Sequence, residues 1–158
     1  MLVIILDNRS TSMTGFQDNP GTGIKITKEP GNRVILEDLV RGCGISPENL
    51  WIEDPYNLKR IIKKLKEAVS ASGVKVLISR HICSILEINK LRAQNQKPPE
   101  VKIESSRCTG CLTCINQFGC PAISFNNEDK KAFINQDECR GCKVCIAICN
   151  NNAIIEVH

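Results

Sequence analysis

Leu2 to Leu6 form a continuous apolar run, LVIIL. Its valine and isoleucines predict a strand buried on both faces of a parallel sheet. From Leu36 to Cys43 the apolar positions Leu36, Leu39, Val40 and Cys43 recur at helical spacing, and Gly44 follows as a terminator. Cys43, on that face, reads as a buried thiol. Leu50 to Glu53 and Val74 to Ser79 are short apolar strands, and Trp51 in the first of them reads as core. Between these strands Leu58, Ile61, Ile62, Leu65 and Val69 mark one face of a helix, with Asp54 as N-cap and Pro55 at its first position. Lys59, Lys63, Lys64 and Lys66 form its solvated side. Three parallel strands crossed by two helices make an α/β unit that is part of a doubly wound sheet, not a whole one.

The pattern changes near residue 90. Residues 90–100 are polar and include Pro98 and Pro99, which disfavour helix and strand alike. They read as a linker between a unit of residues 1–89 and one of residues 101–158. In the second unit Ala122 to Phe125 and Ala153 to Val157 read as strands, with Lys131 to Ile134 and Val101 to Ile103 as hairpin partners. That alternation predicts a small α+β domain.

Eight of the ten cysteines lie in this second unit. Cys108, Cys111, Cys114, Ala122 and Ile123 recur 31 residues later as Cys139, Cys142, Cys145, Ala153 and Ile154. Each half adds one further cysteine, Cys120 or Cys149. A four-iron cubane needs four thiolates, and C-x2-C-x2-C brings three of them together from one tight loop. A zinc ribbon also uses C-x2-C pairs, but zinc takes four ligands and would leave the third cysteine of each run surplus. Disulfides fit poorly, because no signal peptide precedes the cysteines and the chain reads as cytoplasmic.

Residues 101–158 thereby resemble a bacterial two-cluster 4Fe-4S ferredoxin. In such proteins the last cysteine of each run serves the other cluster. The resemblance therefore assigns Cys108, Cys111, Cys114 and Cys149 to one cluster, and Cys139, Cys142, Cys145 and Cys120 to the other. Cys120 is followed by the family's proline, Pro121; Cys149 is followed instead by Asn150, which admits a tight turn but fixes it less firmly.

Composition narrows the partners. The net charge of +4 arises in residues 1–100, since residues 101–158 carry six basic and six acidic side chains. Two cubanes, each with four thiolates and a charge of about −2, would bring the loaded chain near neutrality, which leaves little basis for a polyanion partner. Aromatic residues make up only 4% of the chain, too few for a base-stacking surface, so no nucleic acid is expected. No apolar run approaches the roughly 18 residues of a membrane span.

The first strand leads into LDNRSTSMTGFQDNPGTG, residues 6–23, rich in oxygen-bearing side chains and glycine. It follows the carboxyl end of a strand, where open parallel sheets bind ligands. Its order resembles the thiamine diphosphate loop of the 2-oxoacid:ferredoxin oxidoreductases, in particular those acting on indolepyruvate, whose chain also ends in a two-cluster ferredoxin domain. The resemblance covers nearly the whole sequence. It implies that Asn8 gives a side-chain oxygen and Ser10 a backbone carbonyl to a Mg2+ ion on the diphosphate, and that Met13, Thr14 and Gly15 lie along the cofactor. Magnesium suits such a site, as it takes a few protein oxygens together with phosphate oxygens.

One departure stands out. The family's Gly-Asp-Gly or Gly-Asp-Ser segment, whose Asp is a main magnesium ligand, lies tens of residues before the asparagine, whereas here Met1 lies seven residues before Asn8. A short parallel sheet also leaves its first strand with an apolar, uncharged edge, which tends to pair with something. The expectation is a chain that is not catalytic alone. It would be completed by a chain carrying the missing N-terminal half, or be a truncated gene product; that chain or the small subunit of the oxidoreductase would be its partner, with soluble ferredoxin as acceptor. Its function would be electron outlet of an enzyme decarboxylating aryl 2-oxoacids to acyl-coenzyme A in an anaerobe. A non-catalytic ferredoxin-type carrier with a docking N-terminal unit uses the same residues. Cys83 and His81, just past the third strand, carry no assigned chemistry.

Overall fold

A computed structural model describes residues 1–157. The chain divides into two compact units, Met1–Glu87 and Ile88 onward.

In the first unit β1 (Leu2–Asp7), β2 (Leu50–Glu53) and β3 (Lys75–Arg80) form one parallel sheet of order β1-β3-β2. Ile5 pairs with Ile78 on one side of β3, and Ile52 with the same residue on the other. The central strand is buried from Lys75 to Ser79. Helix α1 (Leu36–Gly42) contributes Val40, which packs with Val76 and Ile78 and is flanked by Ile5, Leu36, Ile45 and Leu50. Helix α2 (Leu58–Ser70) lies over β2 and β3 and buries Ile61 and Ala68.

Three expectations about this unit are corrected. The first is the double burial of β1. Leu2, Ile4 and Leu6 point away from the face shared with Val76 and Ile78, because side chains alternate along a strand. On that far side Ile4 is 48% and Leu6 79% exposed. A strand buried on both faces needs a layer over each; here β1 has one neighbour, β3, and α2 packs chiefly on the other two strands.

The second is the cap of α2. Asp54 accepts from the Tyr56 N–H at 2.8 Å, closing a turn through Pro55, and Asn57 accepts from the Arg60 N–H at 3.2 Å as the true cap. The Asp-Pro pair makes a local turn that uses up the side chain before the helix begins. The third is Cys43, which is exposed. The helix ends at Gly42, leaving Cys43 as its C-cap residue, and Gly44 follows at φ +82°. Trp51 is half-buried, on the edge strand β2.

Helix α3 (Ser84–Ala93) spans the boundary between Glu87 and Ile88 and takes up Lys90–Ala93 of the segment read as linker. The prolines, at 98 and 99, begin too late to stop it. Among the described residues no helix is long and apolar enough to cross a membrane.

The second unit holds two antiparallel pairs. β4 (Glu100–Ile103) pairs with β7 (Ile154–Val157), and β5 (Ile123–Asn126) with β6 (Lys131–Ile134). Two short helices, α4 (Thr113–Asn116) and α5 (Val144–Ile148), follow the cysteine loops. The internal repeat extends to backbone angles: Gly110 and Gly141 lie at φ +69° and +63°, and Leu112 and Lys143 at +61° and +62°. A Cβ on Gly110 would strike the Lys130 carbonyl oxygen, and one on Gly141 that of Pro99, so both loops need glycine there. Val101, Ile123, Ala132, Cys145 and Ile154 form the core, with Cys108, Cys114, Cys120 and Cys149 packed against it.

Candidate functional site

The repeat places its cysteines in two groups. Cys108, Cys111, Cys114 and Cys149 line one cavity, whose apolar wall includes Ile103, Ala132, Ala153 and Ile154. Cys149 reaches this cavity from the end of α5, in the opposite half of the repeat from the other three. Cys120, at the start of the turn before β5, lies close enough, with Cys139, for their sulfurs to act on both Cys142 and Cys145. Each group thus takes three cysteines from one run and the fourth from the other.

Backbone donors reach both groups. Ala153 N–H donates to Cys149 Sγ at 3.3 Å and Gly141 N–H to Cys139 Sγ at 3.5 Å. Burial and the neighbouring sulfurs push Cys114 and Cys142 above the ordinary thiol range, and Cys145, 6% exposed, to about 12. Cys111 is exposed, and hydrogen bonds from the Thr113 hydroxyl and N–H hold it below that range. Four thiols crowded in an apolar wall keep their protons unless cations are present to take the thiolate charge. Among the described residues no three His, Cys, Asp or Glu side chains close on a point as a single metal ion requires. Cys108, Cys111, Cys114 and Cys149 line a common cavity instead. That donor set, eight cysteines in two fours, fits a pair of iron-sulfur clusters.

The loop after β1 brings together some of its expected residues and not others. Asn8 and Ser10 line an open cleft at the carboxyl end of the sheet with Asp7, Arg9, Asn19 and Gly21. Asn8 Oδ1 accepts from Ser10 N–H at 3.0 Å, and Asn8 Nδ2 donates to Ser12 Oγ at 3.1 Å. Ser10 Oγ is buried with no hydrogen-bond partner. Met13, Thr14 and Gly15 stand apart from that cleft on a 3-10 turn, Ser12–Thr14, closed by Gly15 at φ +104°. Thr14 is tied to Gln17 through both its hydroxyl and its carbonyl, while Met13 is wholly exposed.

His81 and Cys83 prove to be fixtures of this loop. Their N–H groups donate to the Asp7 and Asn8 carbonyls, at 3.1 and 3.0 Å. The His81 ring sits between Asp54 and Glu87, at 3.1 and 3.5 Å, and stacks on Tyr56. Burial opposes ionisation of Cys83, but hydrogen bonds from Ser12 and the Leu86 and Ile85 N–H groups lower its pKa overall.

Residues 100–150 match the family model of the 4Fe-4S dicluster domain. The curated relatives extend the likeness to the whole chain. Indolepyruvate oxidoreductase subunit IorA of Archaeoglobus fulgidus is 42% identical over 97% of this chain and 24% of its own length. The IorA subunits of Pyrococcus horikoshii and Thermococcus kodakarensis are 37% and 38% identical over 99% and 94% of this chain, and 24% and 23% of theirs. This chain is similar to the C-terminal part of IorA. It spans about a quarter of the length of these relatives. No solved structure matches it.

Several residues that shape these sites carry no signal in the sequence. Arg80 bonds Asp7 and Glu37 behind the loop. Lys131 donates to the Cys108 carbonyl oxygen, and Asn151 reaches Cys111 Sγ at 3.9 Å. Each acts over a long sequence separation, which no local motif displays. Only Thr113 carries a local signal, its position in the repeat opposite Val144.

Proposed function

We propose that this chain holds two 4Fe-4S clusters and serves as the electron outlet of an indolepyruvate:ferredoxin oxidoreductase. Cys108, Cys111, Cys114 and Cys149 would ligate one cluster, and Cys139, Cys142, Cys145 and Cys120 the other. The observation that carries this reading is the exchange of Cys149 and Cys120 between the halves of the repeat, around an apolar cavity in the first case. Each cluster accepts and releases one electron at a time. The chain's own part is to hold the thiolates in two sets and pack most of them against the apolar cluster of Val101, Ile123 and Ile154.

The β1 loop supports a second part of the same reading. Asn8 and Ser10 would give oxygen ligands to a Mg2+ ion holding thiamine diphosphate, with Thr14 and Gly15 beside the cofactor. The orphaned Ser10 hydroxyl and the open cleft suit an added polar group there. Thiamine diphosphate supplies the nucleophilic carbon that decarboxylates 2-oxoacids. Two oxygen donors on this chain do not complete a magnesium site, so the rest would come from the polypeptide equivalent to the relatives' N-terminal portion. That polypeptide would cover β1 at Ile4 and Leu6, the exposed apolar side of the edge strand.

Co-expression tests this. The chain together with an IorA N-terminal portion should bind thiamine diphosphate with Mg2+ and reduce ferredoxin on indolepyruvate, whereas the chain alone should do neither. Tight cofactor binding by the chain alone, or an assembled complex that binds no cofactor, would overturn the proposal.

A further inference from the structure

The two groups of four cysteines share a spacing and differ in surroundings. Thr113 and Val144 occupy the same position of the repeat, two residues after Cys111 and Cys142. Thr113 Oγ1 lies 3.5 Å from Cys111 Sγ. Asn151 Nδ2 reaches the same sulfur at 3.9 Å while also donating to Thr109 Oγ1 at 2.9 Å, which fixes its orientation. The Val144 side chain has nothing to donate, although its N–H reaches Cys142 as the Thr113 N–H reaches Cys111. Backbone donors favour neither group, since Ala153 N–H serves Cys149 and Gly141 N–H serves Cys139. Among the described residues, the side-chain donors to cluster-site sulfur all fall on Cys111.

Charge and solvent add to the same side. The Lys131 ammonium, bonded to the Cys108 carbonyl, sets a positive charge next to the first group. Lys143, beside Cys142, is paired with Glu156 and offers little net charge to the second. Cys111 is exposed, while Cys145 is buried. Reduction adds one negative charge to a centre. Hydrogen bonds to its sulfurs, a nearby cation and access to water all stabilise that added charge and raise the reduction potential.

We propose that Thr113, Asn151 and Lys131 give the centre held by Cys108, Cys111, Cys114 and Cys149 the higher reduction potential of the two. One electron then passes downhill from the centre of Cys120, Cys139, Cys142 and Cys145, which is oxidised, to the first, which is reduced; no bond forms and no proton moves. The exposed Cys111 marks where that electron leaves for an external one-electron carrier protein. The inference rests on the two-cluster reading above and adds the direction of flow.

The test is an EPR-monitored redox titration of the full chain, reconstituted anaerobically and checked for iron. Thr113→Val is close to isosteric and should lower the higher of two midpoints, shifting electron sharing between the centres about tenfold, which is 59 mV for a one-electron couple. Thr113→Ser, which keeps the hydroxyl, should restore the original value. Val144→Thr should raise the lower midpoint instead. A Thr113→Val titration superimposable on the wild type at about eight irons per chain, or a shift confined to the lower midpoint, would overturn the inference alone. Iron far below eight per chain in the wild type would overturn the two-cluster reading itself, and the inference with it.

Discussion

Arg80 Nε donates to Asp7 Oδ2 at 2.6 Å, tying the carboxyl end of β3 to that of β1 across 73 residues of sequence. The other side of the guanidinium forks onto Glu37 at the start of α1, at 2.6 and 2.9 Å. Asp7 in turn accepts from Arg9 N–H at 3.1 Å. One side chain therefore holds two strands, a helix and the first residues of the loop that carries Asn8 and Ser10.

Replacing Arg80 should release all of these at once. Arg80→Met leaves the largely buried Glu37 carboxylate without its ion pair and Asp7 with Arg9 alone, and we expect a loss of about 2–3 kcal/mol, below the range for fully buried pairs because some water reaches the site. Arg80→Lys should fall between, since a point charge cannot fork. Urea denaturation followed by the fluorescence of Trp51, the only tryptophan, reports on this unit alone.

The same pair sets an acid limit. Hydrogen bonding to Arg80 lowers the Glu37 carboxyl from 4.5 to about 2. A carboxylate depressed by folding adds stability that is fully present above its unfolded value and is lost as pH falls toward the folded one. The first unit should therefore weaken between about pH 4.5 and pH 2. In Glu37→Gln that part of the slope should vanish from Trp51-detected acid unfolding. An unchanged slope would show that Glu37 is not the group responsible.

Crossed ligation makes an unusual prediction for single cysteines. Cys149→Ser should remove the centre of Cys108, Cys111 and Cys114, though Cys149 lies in the other run, and leave about four irons per chain. Its EPR spectrum should match that of Cys108→Ser and differ from that of Cys145→Ser. A match to Cys145→Ser would mean that each run serves its own cluster.

The glycine loops should resist even a methyl group. Gly141→Ala puts a Cβ against the Pro99 carbonyl oxygen at a residue held at φ +63°, and should destabilise the second unit by about 1–3 kcal/mol. Slower cluster incorporation, read from visible absorbance during reconstitution, would accompany it. Gly42→Ala, where a Cβ meets nothing, is the control.

What could be read from the residues alone follows a physical line. Spacing and repeat expose local chemistry, so the cysteine runs and the strand pairs Val101–Ile103 with Ala153–Val157 and Ala122–Phe125 with Lys131–Ile134 were legible. Continuous apolar runs reveal a strand but not what covers it, and so Leu2–Leu6 looked buried where Ile4 and Leu6 are exposed. Asp54-Pro55 mimicked a helix start because a turn and an N-cap use the same side chains. Helix α3 went unseen because its tail shares the polar composition of a linker. Arg80, Lys131 and Asn151 act across 43, 23 and 40 residues, distances at which sequence order carries no signal.

The central claim, two clusters in one dicluster domain, meets its most direct test in iron and acid-labile sulfide analysis of the anaerobically reconstituted chain, with EPR of the reduced protein. We predict about eight irons and eight sulfides per chain and a spectrum of two interacting 4Fe-4S centres. About two zinc ions and no labile sulfide, or a single isolated cluster, would contradict it.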